Sequence, residues 1–175
     1  MLPRAPEYDR TSTTVVNAYV APRVTSYLER LVTSLEEAGY QNQLMVMQAS
    51  GGVMTREYIA ESPIRVLASG PAGGVIGSAH VGLAKGHPNL LCVDMGGTSY
   101  DISMVLHGTA PAVAGWNMHH RYLVGVPMVQ VETLGAGGGS VCHVDNGELQ
   151  VGPTSAGAEP GPICYGRGGT KPTIT

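Results

Sequence analysis

The 175-residue sequence contains no phenylalanine, and aromatic residues make up only 5% of it. Charged residues are also scarce, at 13%, and the net charge of −3 is spread without runs of one sign. Nucleic-acid binding needs clustered basic residues, and intrinsic disorder needs low hydrophobicity, so a chain that is 43% hydrophobic fits neither class. The length is enough for one core of ordinary domain size.

Cysteine is scarce as well. Cys92, Cys142 and Cys164 are odd in number, widely spaced and without a C-x-x-C pair, which argues against a disulfide framework and favours a reducing cytoplasm. No run approaches the roughly 18 apolar residues of a membrane-spanning helix, and residues 1–10 lack the apolar core of a secretion signal. We therefore expect a cytoplasmic protein that does not act on membranes.

Glycine, by contrast, is abundant, with 25 residues. The glycines cluster in the segments GPAGG, DMGGT, GAGGGS and GRGG and follow no fixed period. Glycine allows positive φ and lets a ligand or a neighbouring strand approach the backbone closely. The pattern therefore predicts loops built for backbone contact, and it disfavours a collagen-like or linker sequence.

Hydrophobic spacing predicts helices in the first half of the chain. Apolar residues recur at helical spacing over residues 14–38. Pro22 should divide this stretch into two helices, because proline removes a backbone donor and clashes with the preceding turn. Further helices are expected at residues 55–62 and 75–86, the last of them opened by an SGPAGG turn.

Short apolar runs bounded by turn-forming residues predict strands elsewhere in the chain. The expected strands cover residues 44–48, 64–68, 90–94, 102–106, 127–134, 141–145 and 148–151. Asn146-Gly147, between the last two, is typical of a two-residue hairpin turn. Beyond Gly152 the sequence is rich in proline and glycine and shows no periodic pattern.

The segment DMGGTSYD, residues 94–101, carries the clearest chemical pattern. A tight turn between antiparallel strands presents backbone N–H groups, and Gly96 and Gly97 leave room for a phosphate to approach them. Thr98 and Ser99 add hydroxyl donors. The segment therefore favours a phosphate-binding turn, with a plain β-hairpin held by Asx-type bonds as the alternative interpretation.

The two carboxylates of the segment need a different role. Asp94 and Asp101 would repel a phosphate that they touched directly, so we expect them to hold Mg²⁺, to position a water molecule or to fix the turn. A D-x-G-G-T-x-x-D pattern between two apolar strands resembles a phosphate loop of the sugar kinase, Hsp70 and actin superfamily.

A more specific resemblance comes from the whole chain. The segments YDRTSTTVVNAYVAP, VMQASGGVM, ASGPAGGVIGSAHVG, VDMGGTSYDISMV, LGAGGGSV and VGPTSAGAEPGPICYGRGGTKPTIT follow in that order. Together they resemble the central domain of the hydantoinase A/5-oxoprolinase family, which includes acetone carboxylase subunits. The resemblance extends from Tyr8 to the last residue.

The resemblance implies an α/β fold of the actin-like ATPase type, with ATP and Mg²⁺ as cofactors. It implies ATP-dependent hydrolysis of a cyclic amide of the hydantoin or 5-oxoproline type, through a phosphorylated intermediate. It also implies a hydantoinase B-type partner subunit or domain and an oligomeric enzyme. A ketone carboxylase subunit, which phosphorylates an enol oxygen, and a non-catalytic fragment or interaction module are the alternatives.

Residue by residue, the phosphate loop of the family matches Asp94 and Asp101 as catalytic residues, with Asp94 also a metal ligand. It matches Gly96, Gly97, Thr98 and Ser99 as residues that bind the nucleotide. The GAGGGS loop is expected beside the phosphates or the substrate, through Gly137, Gly138, Gly139 and Ser140. Tyr100 departs from the family, which usually has Thr or Ser there, and Ala49-Ser50 departs from its S-N-G-G segment.

Family members are several times longer than this chain. They begin with another D-x-G-G-T phosphate loop and carry a glycine-rich adenosine-binding segment beyond the part matched here. The resemblance therefore implies that residues 1–175 are a partial central domain that lacks both parts. Such a segment is expected to bind ATP weakly or not at all by itself.

Four other groups of residues leave their role open. His119-His120 with Arg121 would suit a metal or phosphate contact, but no third ligand lies at a convincing spacing. Cys142-His143 and Cys164 suit Zn²⁺ by chemistry, and equally suit buried structural positions. Arg167, in GRGG, suits a carboxylate or phosphate, or plain solvent exposure. The SGPAGG segment suits an anion or close packing.

Overall fold

The computed structural model describes residues 7–118 and 122–175. The chain divides into two compact units. The first contains the residues up to Leu90 together with Val105–Gln130, and the second contains Leu91–Met104 and Val131–Thr175. Within the described residues, no helix combines the length and the hydropathy that crossing a bilayer requires.

Helices and short strands alternate in the first half, and strands dominate the second. The helices are α1 (Glu7–Glu37), α2 (Arg56–Glu61) and α3 (Ser69–Ala84), with 3-10 turns at Pro63–Val66 and Ile163–Tyr165. The strands are β1 (Met45–Met47), β2 (Val53–Thr55), β3 (Leu90–Met95), β4 (Tyr100–Val105), β5 (Ala112–Val113), β6 (Trp116–Met118), β7 (Tyr122–Val124), β8 (Met128–Val129), β9 (Glu132–Leu134), β10 (Ser140–Asp145) and β11 (Glu148–Ser155).

The first helix runs unbroken through Pro22, so the prediction of two helices was wrong. Proline takes away one intrahelical hydrogen bond, and the rest of α1 is held by tertiary contacts with α2, the first 3-10 turn and β7. The packed surface on both sides of Pro22 therefore outweighs a local defect. The predicted helix at residues 55–62 is confirmed as α2, and Thr55 caps it by accepting a hydrogen bond from the Tyr58 N–H.

Polar groups of α1 reach into the core of the first unit. Thr13 is fully buried, and its Oγ1 accepts a hydrogen bond from the Gly125 N–H at 2.9 Å. Asn17 accepts one from the Ile64 N–H at 3.0 Å. The apolar part of this core contains Val16, Ala49, Ile64, Val124, Val126 and Met128.

Two predicted strands take other forms. Residues 64–68 lie largely in the 3-10 turn that begins at Pro63, because proline fits the first position of a helical turn, and the apolar run there reflects the complete burial of Ile64. Residues 127–134 form two strands in different sheets, since β8 pairs with β5 while β9 pairs with β4.

The SGPAGG segment is the beginning of α3 rather than a turn before it. A Cβ built on Gly73 would lie 3.6 Å from the Met47 side chain, and one built on Gly51 would lie 2.7 Å from Ile76. Small residues therefore let α3 pack closely on the strand and turn beside it, which favours the packing interpretation of this segment.

The second unit contains a three-stranded sheet, in the order β3-β4-β9, and the β10–β11 hairpin. The predicted turn between β10 and β11 is confirmed, with Asn146 at φ 49° and Gly147 at φ 84°. These positive values suit a two-residue turn that matches the twist of its strands. β11 continues to Ser155, beyond the predicted end of the return strand.

Candidate functional site

The predicted turn between two strands is present, with β3 and β4 joined by residues 96–99. The Gly96 N–H donates to the Ser99 carbonyl at 3.0 Å and closes the turn. Among the described residues, the N–H groups of Gly97 and Thr98 have no hydrogen-bond acceptor, and both residues are exposed. A Cβ on Gly97 would meet nothing within 4 Å. One side of the turn therefore offers free backbone donors to solvent.

The other side of the turn is held by the GAGGGS loop. The Gly138 N–H donates to the Gly96 carbonyl at 2.9 Å, and the Gly139 N–H donates to the Gly97 carbonyl at 2.7 Å. A Cβ on Gly137 would lie 2.7 Å from the Gly96 oxygen and from the Ser99 nitrogen, so this position excludes every side chain. The two glycine-rich segments thus form one hydrogen-bonded structure.

The GAGGGS loop is braced in turn by its surroundings in the second unit. Ser140, only 2% exposed, accepts from the Gly137 N–H at 2.9 Å. The Thr175 N–H donates to the Gly138 carbonyl at 3.0 Å, and the Ala156 N–H donates to the Gly139 carbonyl at 2.7 Å. The N–H groups of Gly137, Gly138, Gly139 and Ser140 therefore all donate to protein acceptors. That Gly137, Gly138, Gly139 and Ser140 contact a nucleotide stays a prediction.

The two aspartates of the motif lie on β3 and β4. Asp94 is exposed, whereas Asp101 is half-buried and accepts a hydrogen bond from the Thr133 hydroxyl, with 2.6 Å between Oγ1 and Oδ1. Sequence reasoning missed Thr133, because residues 127–134 read as one strand with no partner. The segment ETL, residues 132–134, could have pointed to it. Successive residues of a strand point to opposite faces, so the glutamate and the threonine each place a polar group on a different face.

A regular hairpin closed at Gly96 and Ser99 would bring the two carboxylates to one face. In a regular antiparallel pair closed at Gly96 and Ser99, Asp94 falls opposite Asp101, and directly opposed residues have Cβ atoms about 5 Å apart. Like charges opposed in this way are destabilising, and a cation bound between them would relieve the repulsion. Mg²⁺ is typically held by one or two carboxylates together with phosphate oxygens and waters, and this donor set fits that chemistry.

The zinc hypothesis receives no support from the described residues, which contain no group of three or more His, Cys, Asp or Glu side chains placed to hold a metal ion. Cys142 and His143 are neighbours on β10, so their side chains point to opposite faces. The Cys164 thiol lies 3.6 Å from the Thr175 carbonyl oxygen. His119, His120 and Arg121 lie outside the described residues.

Arg167 has a partner within its own loop. Its guanidinium carbon lies 5.7 Å from the centre of the Tyr165 ring, a distance typical of a cation–π contact. Gly166 and Gly168 on either side have positive φ, at 66° and 91°. The glycines therefore serve the bend that places the arginine over the ring.

Comparison with known proteins extends over nearly the whole chain. A model of the hydantoinase/oxoprolinase family matches residues 10–175. The alpha subunit of caprolactamase from Pseudomonas jessenii is 47% identical over 176 residues, which cover 100% of this chain and 25% of that protein. 5-Oxoprolinase 1 from Arabidopsis thaliana is 35% identical over 162 residues, which cover 91% of this chain and 12% of that protein.

Two solved structures share the fold. The crystal structure of ATP-dependent caprolactamase from Pseudomonas jessenii superposes with a TM-score of 0.81 at 46% identity, over 99% of this chain and 25% of that one. Nucleotide-free acetone carboxylase superposes with a TM-score of 0.79 at 31% identity, over 98% of this chain and 24% of that one. The chain thus spans about a quarter of the length of either protein.

Proposed function

The chain belongs to the hydantoinase/oxoprolinase family, and on that premise we propose that it supplies the phosphate-binding turn of an enzyme that uses ATP to open a cyclic amide. The observation that carries the proposal is the turn at residues 96–99, whose N–H groups at Gly97 and Thr98 are free while its carbonyls are tied to the GAGGGS loop. A turn held from behind and open in front is arranged to receive an anion.

Phosphate oxygens would be held mainly by backbone donors. The N–H groups of Gly97 and Thr98 face solvent, and the hydroxyls of Thr98 and Ser99 can also donate hydrogen bonds to an anion. The absence of a side chain at Gly97 lets a phosphate approach these donors closely. Because the Gly96 and Gly97 carbonyls are already bonded, the turn would need little rearrangement on binding.

Asp94 and Asp101 would hold Mg²⁺ in this proposal, with Asp94 as the direct ligand. Bound there, Mg²⁺ would neutralise charge on the phosphate oxygens. Asp101 is restrained by its hydrogen bond with Thr133, which suits a carboxylate that orients a metal-bound or attacking water. Both residues lie beside the turn, one on each of the strands that it joins.

The proposed chemistry addresses the inertness of an amide carbonyl. Transfer of the terminal phosphoryl group of ATP to the amide oxygen would make the ring carbon electrophilic. Water would then add to that carbon, cleavage of the C–N bond would give an acyl phosphate and a free amine, and a second water would hydrolyse the acyl phosphate to the ring-opened acid and inorganic phosphate. The proposed substrate class is a hydantoin-like or oxoproline-like ring, in keeping with the lactam named for the caprolactamase relative.

A ketone carboxylase is the second candidate. The acetone carboxylase beta subunit of Xanthobacter autotrophicus is 32% identical to this chain, against 47% for the caprolactamase subunit. The higher identity supports the cyclic amide, whereas the structural likeness to acetone carboxylase supports the same turn in either reaction. Phosphate release with hydantoins and lactams, measured against release with ketones plus bicarbonate, separates the two.

We also propose that this segment works as a partial central domain of an actin-like ATPase, completed by an N-terminal phosphate-loop domain and an adenosine-binding segment. The apolar side chains of β3 support the proposal, because Leu91, Val93 and Met95 are 67%, 54% and 49% exposed. Alternate strand residues share a face, and an apolar face of this kind is typically covered by other structure.

Partners and location are proposed on similar grounds. The named relatives include an alpha, a beta and a gamma subunit, which supports an oligomer with a hydantoinase B-type partner. The free thiols of Cys92, Cys142 and Cys164 support a reducing cytoplasm. Alone, the segment is expected to bind ATP weakly or not at all, and it would then act only within the larger enzyme.

Amide chemical shifts test the phosphate turn directly, even when binding is weak. A ¹⁵N-labelled chain is titrated with the Mg²⁺ complex of a nonhydrolysable ATP analogue to millimolar concentration. The Gly97 and Thr98 amides are expected to shift most, because their N–H groups would bond to phosphate. The turn Asn146-Gly147 serves as an internal control of similar shape. Shifts confined to that turn or to the first unit would overturn the proposal.

A further inference from the structure

We propose that Thr133 is a positioning residue, which fixes the orientation of the Asp101 carboxylate beside the phosphate turn. The inference rests on the proposed function, because it gives a purpose to Asp101. It adds a residue on β9 that has no part in the phosphate-loop motif.

The contact joins two strands at matched positions. Asp101 on β4 and Thr133 on β9 are cross-strand partners in the antiparallel register. Opposed side chains in such a pair lie on the same face of the sheet. The distance of 2.6 Å between the threonine hydroxyl oxygen and the carboxylate oxygen Oδ1 is within the short range of hydrogen bonds to charged groups. The threonine therefore holds one particular oxygen of the carboxylate.

Holding one oxygen leaves the other available. A hydroxyl has one hydrogen to donate, and a carboxylate has two oxygens that accept. With Oδ1 engaged by Thr133, Oδ2 keeps its full capacity for a cation or a water. The ion pairs formed by the described residues do not include Asp101. The threonine hydroxyl is thus the side-chain restraint on Asp101 that the described structure shows.

The backbone around Thr133 links this contact to the turn itself. β9 ends at Leu134, and the GAGGGS loop follows immediately. Within that loop Gly138 and Gly139 donate to the turn carbonyls of Gly96 and Gly97. A single stretch, residues 132–140, therefore holds both the turn and the carboxylate on the strand after it. Because the same stretch holds both, it also sets the distance between the turn and the carboxylate.

The hydroxyl, rather than the shape of the side chain, is the feature that matters. Valine matches the branching of threonine and has a similar preference for strands, but it cannot donate a hydrogen bond. Serine keeps the donor while losing the methyl group. Thr133→Val and Thr133→Ser therefore separate the hydrogen bond from the packing. Thr154→Val, at an exposed position of β11, is a matched control for the substitution itself.

The test has two measurements on the labelled 175-residue chain. The first is the set of three-bond couplings that report the χ1 angle of Asp101 without nucleotide. The second is the affinity for the Mg²⁺ complex of a nonhydrolysable ATP analogue, from amide shifts. In Thr133→Val we expect averaged χ1 couplings of Asp101 and an affinity lower by about tenfold, the order of effect found when an outer hydrogen-bond partner around a metal site is removed. Thr133→Ser and Thr154→Val should keep a single χ1 angle and the original affinity.

The outcomes separate this inference from the function on which it rests. A single, unchanged χ1 angle of Asp101 in Thr133→Val would overturn the positioning role, and so would equal losses of affinity in the valine and serine variants. If Mg²⁺–nucleotide shifts other amides of the unmodified chain but neither Gly97 nor Thr98, the phosphate proposal fails. The χ1 couplings, measured without nucleotide, still support or overturn the role of Thr133 in that case.

Discussion

The Gly138 N–H donates to the carbonyl oxygen of Gly96 across 2.9 Å. These residues lie 42 positions apart in the sequence, and the bond joins the loop after β9 to the turn between β3 and β4. A carbonyl held in this way cannot rotate to face an incoming anion. The glycine-rich loop therefore helps to keep the N–H groups of the turn directed outward.

Gly137→Ala is expected to destabilise the second unit. The new methyl group would lie 2.7 Å from backbone atoms of Gly96 and Ser99, and backbone cannot move aside as a flexible side chain can. We expect a loss of about 1–3 kcal/mol in the free energy of unfolding, measured by urea denaturation. Gly135→Ala, where a Cβ would meet nothing within 4 Å, is the control and should leave stability nearly unchanged.

In the full-length enzyme, Gly97→Val is expected to abolish binding of Mg²⁺–nucleotide while leaving the circular dichroism spectrum largely unchanged. Space for the side chain exists in the free chain, since a Cβ there meets nothing within 4 Å, but the branched side chain would occupy the approach to the turn. Gly77→Val, at an exposed helical position with equal space, is the matched control. Nucleotide affinity in Gly97→Val equal to that of the control would refute the phosphate turn.

Asp94→Asn is expected to raise the Mg²⁺ concentration that nucleotide binding requires. The substitution keeps the size of the side chain and removes its negative charge. If this residue is a direct ligand, the site would therefore bind Mg²⁺ much more weakly. We expect at least about a tenfold rise in the Mg²⁺ concentration required, since removing outer partners alone has that effect. Asp145→Asn, at the exposed end of β10, should behave as the unmodified chain. Equal Mg²⁺ requirements in both variants would contradict the assignment.

Thr13→Val is expected to destabilise the first unit. Thr13 is fully buried, and its hydroxyl oxygen is the acceptor for the Gly125 N–H, which would be left without a partner. The expected loss in the free energy of unfolding is about 1–3 kcal/mol by urea denaturation. Thr14→Val is a close control, because both hydroxyls donate to the carbonyl four residues earlier in α1, Thr13 to Asp9 and Thr14 to Arg10, but Thr14 is exposed. A similar loss in the free energy of unfolding in both variants would show that the lower helix propensity of valine, rather than the buried hydrogen bond, causes the destabilisation.

Pro22→Ala is expected to stabilise α1. Alanine supplies the missing N–H donor in the middle of the helix and removes the ring that crowds the preceding turn. Because Pro22 is exposed, little packing is lost, and the free energy of unfolding should rise by about 1 kcal/mol or more. Thermal unfolding followed at 222 nm checks the prediction, and a lower midpoint than that of the unmodified chain would count against it.

Local patterns accounted for much of the secondary structure. The short apolar runs flanking residues 96–99 predicted β3 and β4, and Asn146-Gly147 predicted its hairpin, because both signals depend on neighbouring residues alone. The patterns failed at Pro22 and at residues 64–68. At Pro22, contacts with distant elements outweighed the local preference of proline, whereas at residues 64–68 the preference of Pro63 for the start of a helical turn prevailed over the apolar run.

The amino-acid sequence by itself determined the turn and the groups that it carries, since DMGGTSYD places glycines, hydroxyls and carboxylates within eight consecutive residues. It also determined the family, through motifs that extend along the chain. Only the tertiary structure decided that the GAGGGS loop holds the turn from behind and that Thr133 holds Asp101. Those contacts depend on which strand lies beside β4, and strand pairing between distant segments is set by the packing of the whole unit rather than by any local pattern.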